Sequence, residues 1–402
     1  MMQSSNRRAG QQRPPVIALG GFLPTLAIMR SLGPRGVSVH VLGDDAAPSR
    51  SIPETLRFSR YCVDFIPFVE DVEAGWFQWL TEAQMEGAVV IPCSDPALEF
   101  VAQYRTALQG LGYHPVPADD SVVLDMLDKE RAYALARNLG ISTPLSHVIR
   151  QSSDIDDALA VMDLPAVVKP LSKGDFYEVF GWKAREVSTR GELHDVVRDS
   201  VRAGHALQLG ELIPGAEDLF CSYYSFLDEA GEPLVHFTKR KLRQYPLGFG
   251  WGTFHVTDWN EEVAEAGLRF FRGAGLRGIG NVEFKRDPRD GQLKLIECNP
   301  RLTDSTELIS QSGIDFPFIG YMKALGLNPP TTDRYVEGMT LWRPSKDTVA
   351  AWQLWRRGEL SPVRWASQIA QRHRYPIFSW RDVKPALMAS VYRLRSIAHV
   401  LR

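Results

Sequence analysis

Asn281-Val-Glu-Phe-Lys-Arg-Asp-Pro-Arg-Asp-Gly-Gln-Leu-Lys-Leu-Ile-Glu-Cys-Asn-Pro-Arg301 is the stretch on which the fold turns. Two β-type runs flank a turn that carries Asp290-Gly291, a strong hairpin signal. A hairpin symmetric about Asp290 sets Glu283 opposite Glu297, and alternation sets Asn299 beside Glu297 on the same face. Two carboxylates and an amide oxygen then converge on one spot. Like charges directly opposed across a sheet repel, so this pair calls for a cation. An oxygen-only donor set suits Mg²⁺, which shares its coordination sphere with substrate phosphates. The plainer alternative is an exposed hairpin with incidental charges. The apolar Val282, Phe284, Leu295 and Ile296 in the strands, and the cation Arg301 beside the acids, favour the metal site with Glu283, Glu297 and Asn299 as ligands.

Working outward, Ala166-Val-Val-Lys169-Pro170 reads as a short strand running into a Ser/Gly loop, and Leu207 to Ile213 as a strand broken by Pro214-Gly215. Phe220 to Phe226 and Leu234 to Thr238 continue the strand pattern. Ser121 to Leu139 reads as helical, closing at Gly140, and Glu261 to Leu276 as helical, stopping at Gly278. Nearer the N-terminus, an apolar run ends in Gly20-Gly21 and leads to a helix. A second strand follows at Val37 to Leu42 and a later one at Val89 to Ile91, the opening of a parallel α/β layer. Gly20-Gly21 lacks the spacing of a dinucleotide fingerprint. Lys239, Lys241 and Arg243 alternate onto one face of a strand before a Gly-rich loop. That one-sided row suits an anionic ligand, and His255 beyond it reads as a supporting residue rather than a base.

The 402 residues, 44% apolar and 23% charged, describe a globular chain of two or three domains, and a formal net charge of -2 points to no nucleic-acid partner. From Leu341 to Arg402, however, there are 12 Lys and Arg against 3 Asp and Glu, and five of the ten Trp. Four scattered cysteines without a C-x-x-C pair fit a reducing compartment. No long apolar stretch follows the polar first thirteen residues, and no uncharged apolar run is long enough to span a bilayer. The expected location is the cytoplasm.

These landmarks, in this order, resemble the ATP-grasp superfamily, whose metal motif is an acid on one strand and Glu-x-Asn-x-Arg on the next, matched here by Glu283 and Glu297-Cys-Asn-Pro-Arg301. Asp128-Lys129, opening a helix that ends in Gly140-Ile-Ser-Thr-Pro144, is similar to the first ATP-binding lysine, and Lys169-Pro170 to the second. Glu211-Leu-Ile-Pro-Gly215-Ala-Glu217-Asp218 resembles the hinge. There, the resemblance implies, Glu211 and the neighbouring backbone at Ile213 read adenine, and Glu217 or Asp218 holds ribose. Phe237 to Pro246, Gly248 to Gly252 and Gly280 to Asp287 look like bacterial carboxylate–amine ligases of the D-aspartate-ligase type.

The resemblance implies an α/β and α+β architecture. A disordered tail (residues 1–13) precedes a pre-ATP-grasp parallel α/β domain (14–118). A two-lobed ATP-grasp fold follows (119–330; small lobe about 119–208, metal-binding lobe about 209–330), then a basic, Trp-rich helical extension (331–402). It further implies an ADP-forming ligase using ATP with Mg²⁺ (or Mn²⁺) to join a small carboxylic acid or amino acid to an amine through an acyl phosphate. Lys129 and Lys169 would hold phosphates, Arg301 would stabilise the tetrahedral oxyanion, and Lys241 and Arg243 would assist. The segment Leu171 to Gly181 is expected to form a lid, and Cys298 to point away from the ligands. The competing readings are a thiol or bicarbonate substrate and a non-catalytic ATP-binding regulatory protein. For the tail, packing on the main body or on a partner subunit (a homodimer) ranks above contact with a membrane.

Overall fold

The computed structural model describes residues 13–44, 53–171, 176–182, 184–332 and 334–400. Most of the expected disordered tail, and residues 172–175 of the expected lid, lie outside the described residues.

Five strands, β1 (Val16–Leu19), β2 (Val39–Asp44), β3 (Cys62–Phe68), β4 (Val89–Pro92) and β5 (His114–Pro115), form a parallel sheet in the order β3-β2-β1-β4-β5. β1 is apolar and buried along its whole length because helices cover both faces of the sheet. The strand order reverses between β1 and β4, and Gly20-Gly21 and Ser94-Asp95 sit at the carboxyl ends of those strands, where open α/β sheets form their crevice. Gly21 has φ +67°, and a Cβ there would lie 2.4 Å from the Cys93 carbonyl oxygen, so only glycine fits.

A small antiparallel sheet holds β6 (Ser146–Ile149), β7 (Ala166–Pro170), β8 (Arg185–Val187) and β9 (Leu207–Glu211) in the order β6-β9-β7-β8. The remaining sheet is antiparallel, in the order β14-β13-β10-β11-β12-β15. Its strands are β10 (Phe220–Leu227), β11 (Pro233–Tyr245), β12 (Trp251–Thr257), β13 (Gly278–Arg286), β14 (Leu293–Asn299) and β15 (Thr340–Trp342). β15 corrects the expectation of a purely helical extension, since that region supplies the edge strand beside β12.

Two helical expectations are corrected. The helix read over Ser121 to Leu139 is two helices, Asp120–Leu127 and Lys129–Asn138. Asp128 takes extended backbone between them and its carboxylate accepts from the amides of Glu130 and Arg131, so a strong N-cap interrupts an otherwise periodic run. The segment expected as a lid contains the helix Phe176–Phe180, whose Phe176 is buried against Phe180, Trp182 and His205. The helix Glu261–Ala274 ends on Gly275 in the left-handed conformation, three residues before Gly278.

Candidate active site

Strand register builds the site. Across the large sheet, Lys239 of β11 pairs with Ser222 of β10, Ser222 with Glu283 of β13, and Glu283 with Glu297 of β14. Two residues along, the next row on the same face reads His255, Lys241, Phe220 and Lys285. On the other side lies the row Tyr224, Asn281 and Asn299. Glu283 therefore faces Glu297 as the symmetric hairpin predicts. The symmetry holds only on the site side of a bulge, because beyond Glu283 the pairing slips by one residue and leaves Ile296 without an opposite number.

Hydrogen bonds fix the donors. Asn281 donates to the Tyr223 carbonyl (3.2 Å), the Asn299 amide donates to Asn281 Oδ1 (3.3 Å), and Arg301 donates to Asn299 Oδ1 (3.1 Å). The chain of amides holds Asn299 with its oxygen toward the cationic side. Lys241 Nζ lies 2.9 Å from Glu283 Oε1 and 3.1 Å from Gln244 Oε1. Two facing carboxylates and one amide oxygen are the donors a hard divalent cation takes. Among the described residues no group of three or more His, Cys, Asp or Glu side chains forms a metal cage. That set fits Mg²⁺, which keeps positions for phosphate and water.

Positive charge surrounds these acids. Lys169, at the end of β7, is pushed down to about 8 by burial and by Lys129, with Glu297 and Glu283 pulling the other way. Lys239 is pushed down to about 8, again chiefly by burial; Glu283 opposes the shift and Lys241 adds to it. Lys285 is lowered by burial and donates to the carbonyls of Ile213 (2.7 Å) and Gly215 (3.2 Å). His255, 3.4 Å from Lys239 Nζ, is held neutral by burial and by Lys239, Arg343 and Lys241. A buried site with more ammonium groups than carboxylates is complementary to a polyanion.

Beside it, a cleft of ≈ 570 Å³ opens between the two antiparallel sheets, lined by Val167, Lys169, Gly210 to Ile213, Phe220, Phe249, Lys285 and Ile296. Apolar walls with a few polar groups suit a planar base.

The predicted residues do not all stand free in it. Arg243 is a correction: it is fully buried, paired bidentately with Asp347 (2.8 and 3.0 Å), bonded to Gln368 and stacked on Phe254. The pairing of β11 with β12 shifts register between Lys241 and Gln244, and this takes Arg243 off the simple alternation that put it beside Lys241. Glu211 lines the cleft, but its carboxylate accepts from the Leu145 amide (3.0 Å) and pairs with Arg289 and Lys294. The Glu211 amide donates to the Leu145 carbonyl (2.8 Å), so along this edge of the cleft the carboxylate and the amide of Glu211 are both engaged. Glu217 is buried and accepts from the Gly248 amide (2.7 Å), while its Oε2 has no hydrogen-bond partner among the described residues; Asp218 is half-buried. Cys298 packs in the core behind β14, on the opposite face from Glu297.

Arg301 reaches the parallel domain, its Nε 2.5 Å from Asp95 at the start of the helix Asp95–Gly110. Ser94 caps that helix and donates to Asp44 (3.0 Å) at the end of β2. The guanidinium thus sits where the metal-type donors meet the crevice of the parallel sheet. Asn281 and Lys285 were legible in the sequence, each two residues from Glu283 on one strand face. Ser94-Asp95-Pro96 carries the local signal of a helix start, borne out by the Ser94 cap, but none for the contact of Asp95 with Arg301, and Ser222 carries none.

No family model matches the chain. The D-aspartate ligase of Enterococcus faecium is 22% identical over 237 residues, covering 56% of each chain. A D-alanine–D-alanine ligase of Xanthomonas axonopodis is 30% identical over 205 residues, covering 47% of this chain and 62% of that one. A C-terminal section of the carbamoyl phosphate synthase large chain from Methanopyrus kandleri is 23% identical over 301 residues, covering 66% and 54%. The chain thus spans between about half and three-fifths of the length of these relatives. Among solved structures, L-amino acid ligase from Bacillus licheniformis superposes with a TM-score of 0.61 at 17% identity, covering 82% of this chain and 80% of that one. An ADP complex of N5-carboxyaminoimidazole ribonucleotide synthetase gives 0.60 at 13%, covering 82% and 81%. The fold is that of the ATP-grasp ligases.

Proposed function

We propose that this protein is an ADP-forming carboxylate–amine ligase that uses ATP and Mg²⁺ to make an amide or peptide bond through an acyl phosphate. The observation that carries the reading is the row Lys239, Ser222, Glu283, Glu297, with Asn299 in the neighbouring row, Arg301 bonded to it, and Lys169 lining the adjoining cleft. Relatives that join amino acids support it.

Adenine would lie in the slot between Val167, Phe220 and Ile296, read by the Glu211–Ile213 backbone. The unmatched buried Oε2 of Glu217 favours that acid over Asp218 for a ribose hydroxyl. Lys129, Lys169, Lys239 and Lys241 would receive the phosphates. Glu283, Glu297 and Asn299 would hold Mg²⁺, whose chemistry there is to neutralise phosphate charge during phosphoryl transfer. The γ-phosphoryl group passes to a carboxylate oxygen of the acid, releasing ADP. The amine then attacks the acyl carbon, and the oxyanion collapses with loss of phosphate. Arg301, held by Asp95 and Asn299, is positioned to stabilise that oxyanion, and Lys241 supports the phosphates. The protein's own work is positioning and charge neutralisation.

The test is turnover with an acid carrying ¹⁸O in its carboxylate. Transfer of one label to released phosphate, with ADP formed in step with the amide, is the expected result. Unlabelled phosphate from a competent acid and amine pair would exclude the acyl phosphate. Resemblance to carbamoyl phosphate synthase keeps bicarbonate as the second acid to assay.

A further inference from the structure

We propose that the outer face of residues 380–395, at the head of the C-terminal helix Lys384–Val400, is a docking surface for an anionic lipid bilayer. It is independent of the ligase chemistry.

Four apolar side chains stand in water there. Trp380 is 86% exposed, Leu387 60% and Leu394 67%, with Val383 at 42%. Val383, Leu387, Ser390 and Leu394 are spaced four, three and four residues apart, so they form one stripe rather than scattered exposures. Trp380 leads into the stripe, its ring edge-on to Phe378 at 4.8 Å. Arg381, Lys384, Arg393 and Arg395 are exposed beside it. The one acid of this segment, Asp382, is buried, accepting from Ser59 Oγ (2.9 Å) and the Arg60 amide (3.0 Å) and pairing with Arg30 (3.3 Å). The same sorting holds for the whole extension. Asp347 is spent on Arg243, so of the acids beyond Leu341 only Glu359 is exposed, against ten exposed Lys and Arg among the described residues.

The inner side fixes the presentation. Ala389 is buried and the helix packs on the turn Pro53–Phe58, so the stripe is held outward by the body of the protein. An apolar stripe led by Trp and flanked by cations matches the bilayer interface, where Trp sits at headgroup level, aliphatic side chains enter the acyl boundary and Lys or Arg meet anionic headgroups. No described helix is long and apolar enough to cross a membrane, so the contact lies in the membrane plane. A second copy is a poorer occupant, because pairing two such faces opposes four cations to four. Nucleic acid would take the cations but leave Leu387 and Leu394 in water.

The full-length protein should co-sediment with vesicles of phosphatidylglycerol and phosphatidylcholine at low salt, and should bind pure phosphatidylcholine about tenfold less. Leu387→Ser/Leu394→Ser and Arg393→Glu/Arg395→Glu should each weaken partition by about tenfold, with melting temperature unchanged because all four residues are exposed. Failure of the unaltered protein to bind the anionic vesicles overturns the proposal. So does vesicle binding indifferent to the serine pair, or duplex DNA binding as tight as vesicle binding and equally indifferent. A dimer in solution that the serine pair dissociates would assign the stripe to self-association instead.

Discussion

At the scale of single residues, the site is a place where burial works against positive charge until an anion arrives. Lys169 and Lys239 both sit near 8 rather than at the ordinary lysine value. Phosphate oxygens favour the charged form, so on the proposed reading nucleotide binding would raise both pKa values, and above pH 8 binding would take up protons. Affinity for ATP should therefore be flat below about pH 7 and fall as pH rises past 8, with proton uptake visible as buffer-dependent binding heat. The same lysines lower folding stability when charged. Between pH 8 and their unfolded value the unfolded chain binds more protons, so the free protein gains stability with rising pH in that window. The carboxylates make a sharper case. Glu297→Gln keeps the shape and removes one of two facing charges, and turnover should drop by about 100-fold or more while the fold survives. Turnover within twofold of the unaltered protein, at limiting Mg²⁺, would remove Glu297 from the metal assignment.

At the scale of elements, the hairpin β13–β14 does most to define the site, and its bulge matters. Ile296, the unpaired residue, turns into the wall of the cleft between the two antiparallel sheets, and Tyr133 donates to its carbonyl (2.9 Å). The corresponding irregularity in β11 has the opposite effect, sending Arg243 to Asp347, which also accepts from Thr253 (2.9 Å), Trp342 (3.0 Å) and Trp365 (3.1 Å). That network bolts the helix Pro344–Arg356 to the sheet. Arg243→Met would strand a buried carboxylate, and urea denaturation should register a loss of about 3–5 kcal/mol. The ATP dissociation constant should stay within about twofold, because no phosphate interaction is removed. A large loss of ATP affinity at unchanged stability would return Arg243 to the phosphate site.

At the scale of the whole molecule, the parallel sheet and the large antiparallel sheet share one core, while the small antiparallel sheet keeps a cluster of its own. The helix Leu23–Leu32 packs on Thr306–Ser312 and Phe316–Ala324, and Phe226, Phe237 and Phe316 belong to the same apolar cluster as Val16 and Val39. The extension closes the far side through Asp382 and Arg30, whose Nη2 also donates to the Ile377 carbonyl (2.5 Å). Asp382→Ala would leave Arg30 with only its longer ion pair to Glu307 (3.8 Å) and should cost about 3 kcal/mol. The extension should still unfold together with the parallel sheet, with an unchanged slope in urea, because its C-terminal helix packs on the turn Pro53–Phe58 and its Leu354 and Leu360 share a cluster with Leu247 of the main body. Two resolved transitions in that variant would show the extension to be a separate folding unit. The Arg301–Asp95 pair makes the same coupling at the site itself, linking the metal-type donors to the crevice beside Gly20-Gly21.

What the sequence determined alone was whatever depends on neighbours along the chain. The alternation of strands and the Asp290-Gly291 turn put Glu283 against Glu297 and Asn299 beside it, because side-chain direction in a strand is set by parity. The same parity marks Asn281 and Lys285. Only the tertiary structure decided matters that depend on partners distant in sequence. Asp347, 104 residues away, claims Arg243; Leu145, Arg289 and Lys294 claim the Glu211 carboxylate; and Asp95, 206 residues away, claims Arg301. Bulges also escaped the sequence, since one unpaired residue reverses the parity on which every face assignment rests. A charged side chain advertises that it needs a partner, but which partner it finds is fixed by packing of strands and helices that no local pattern encodes.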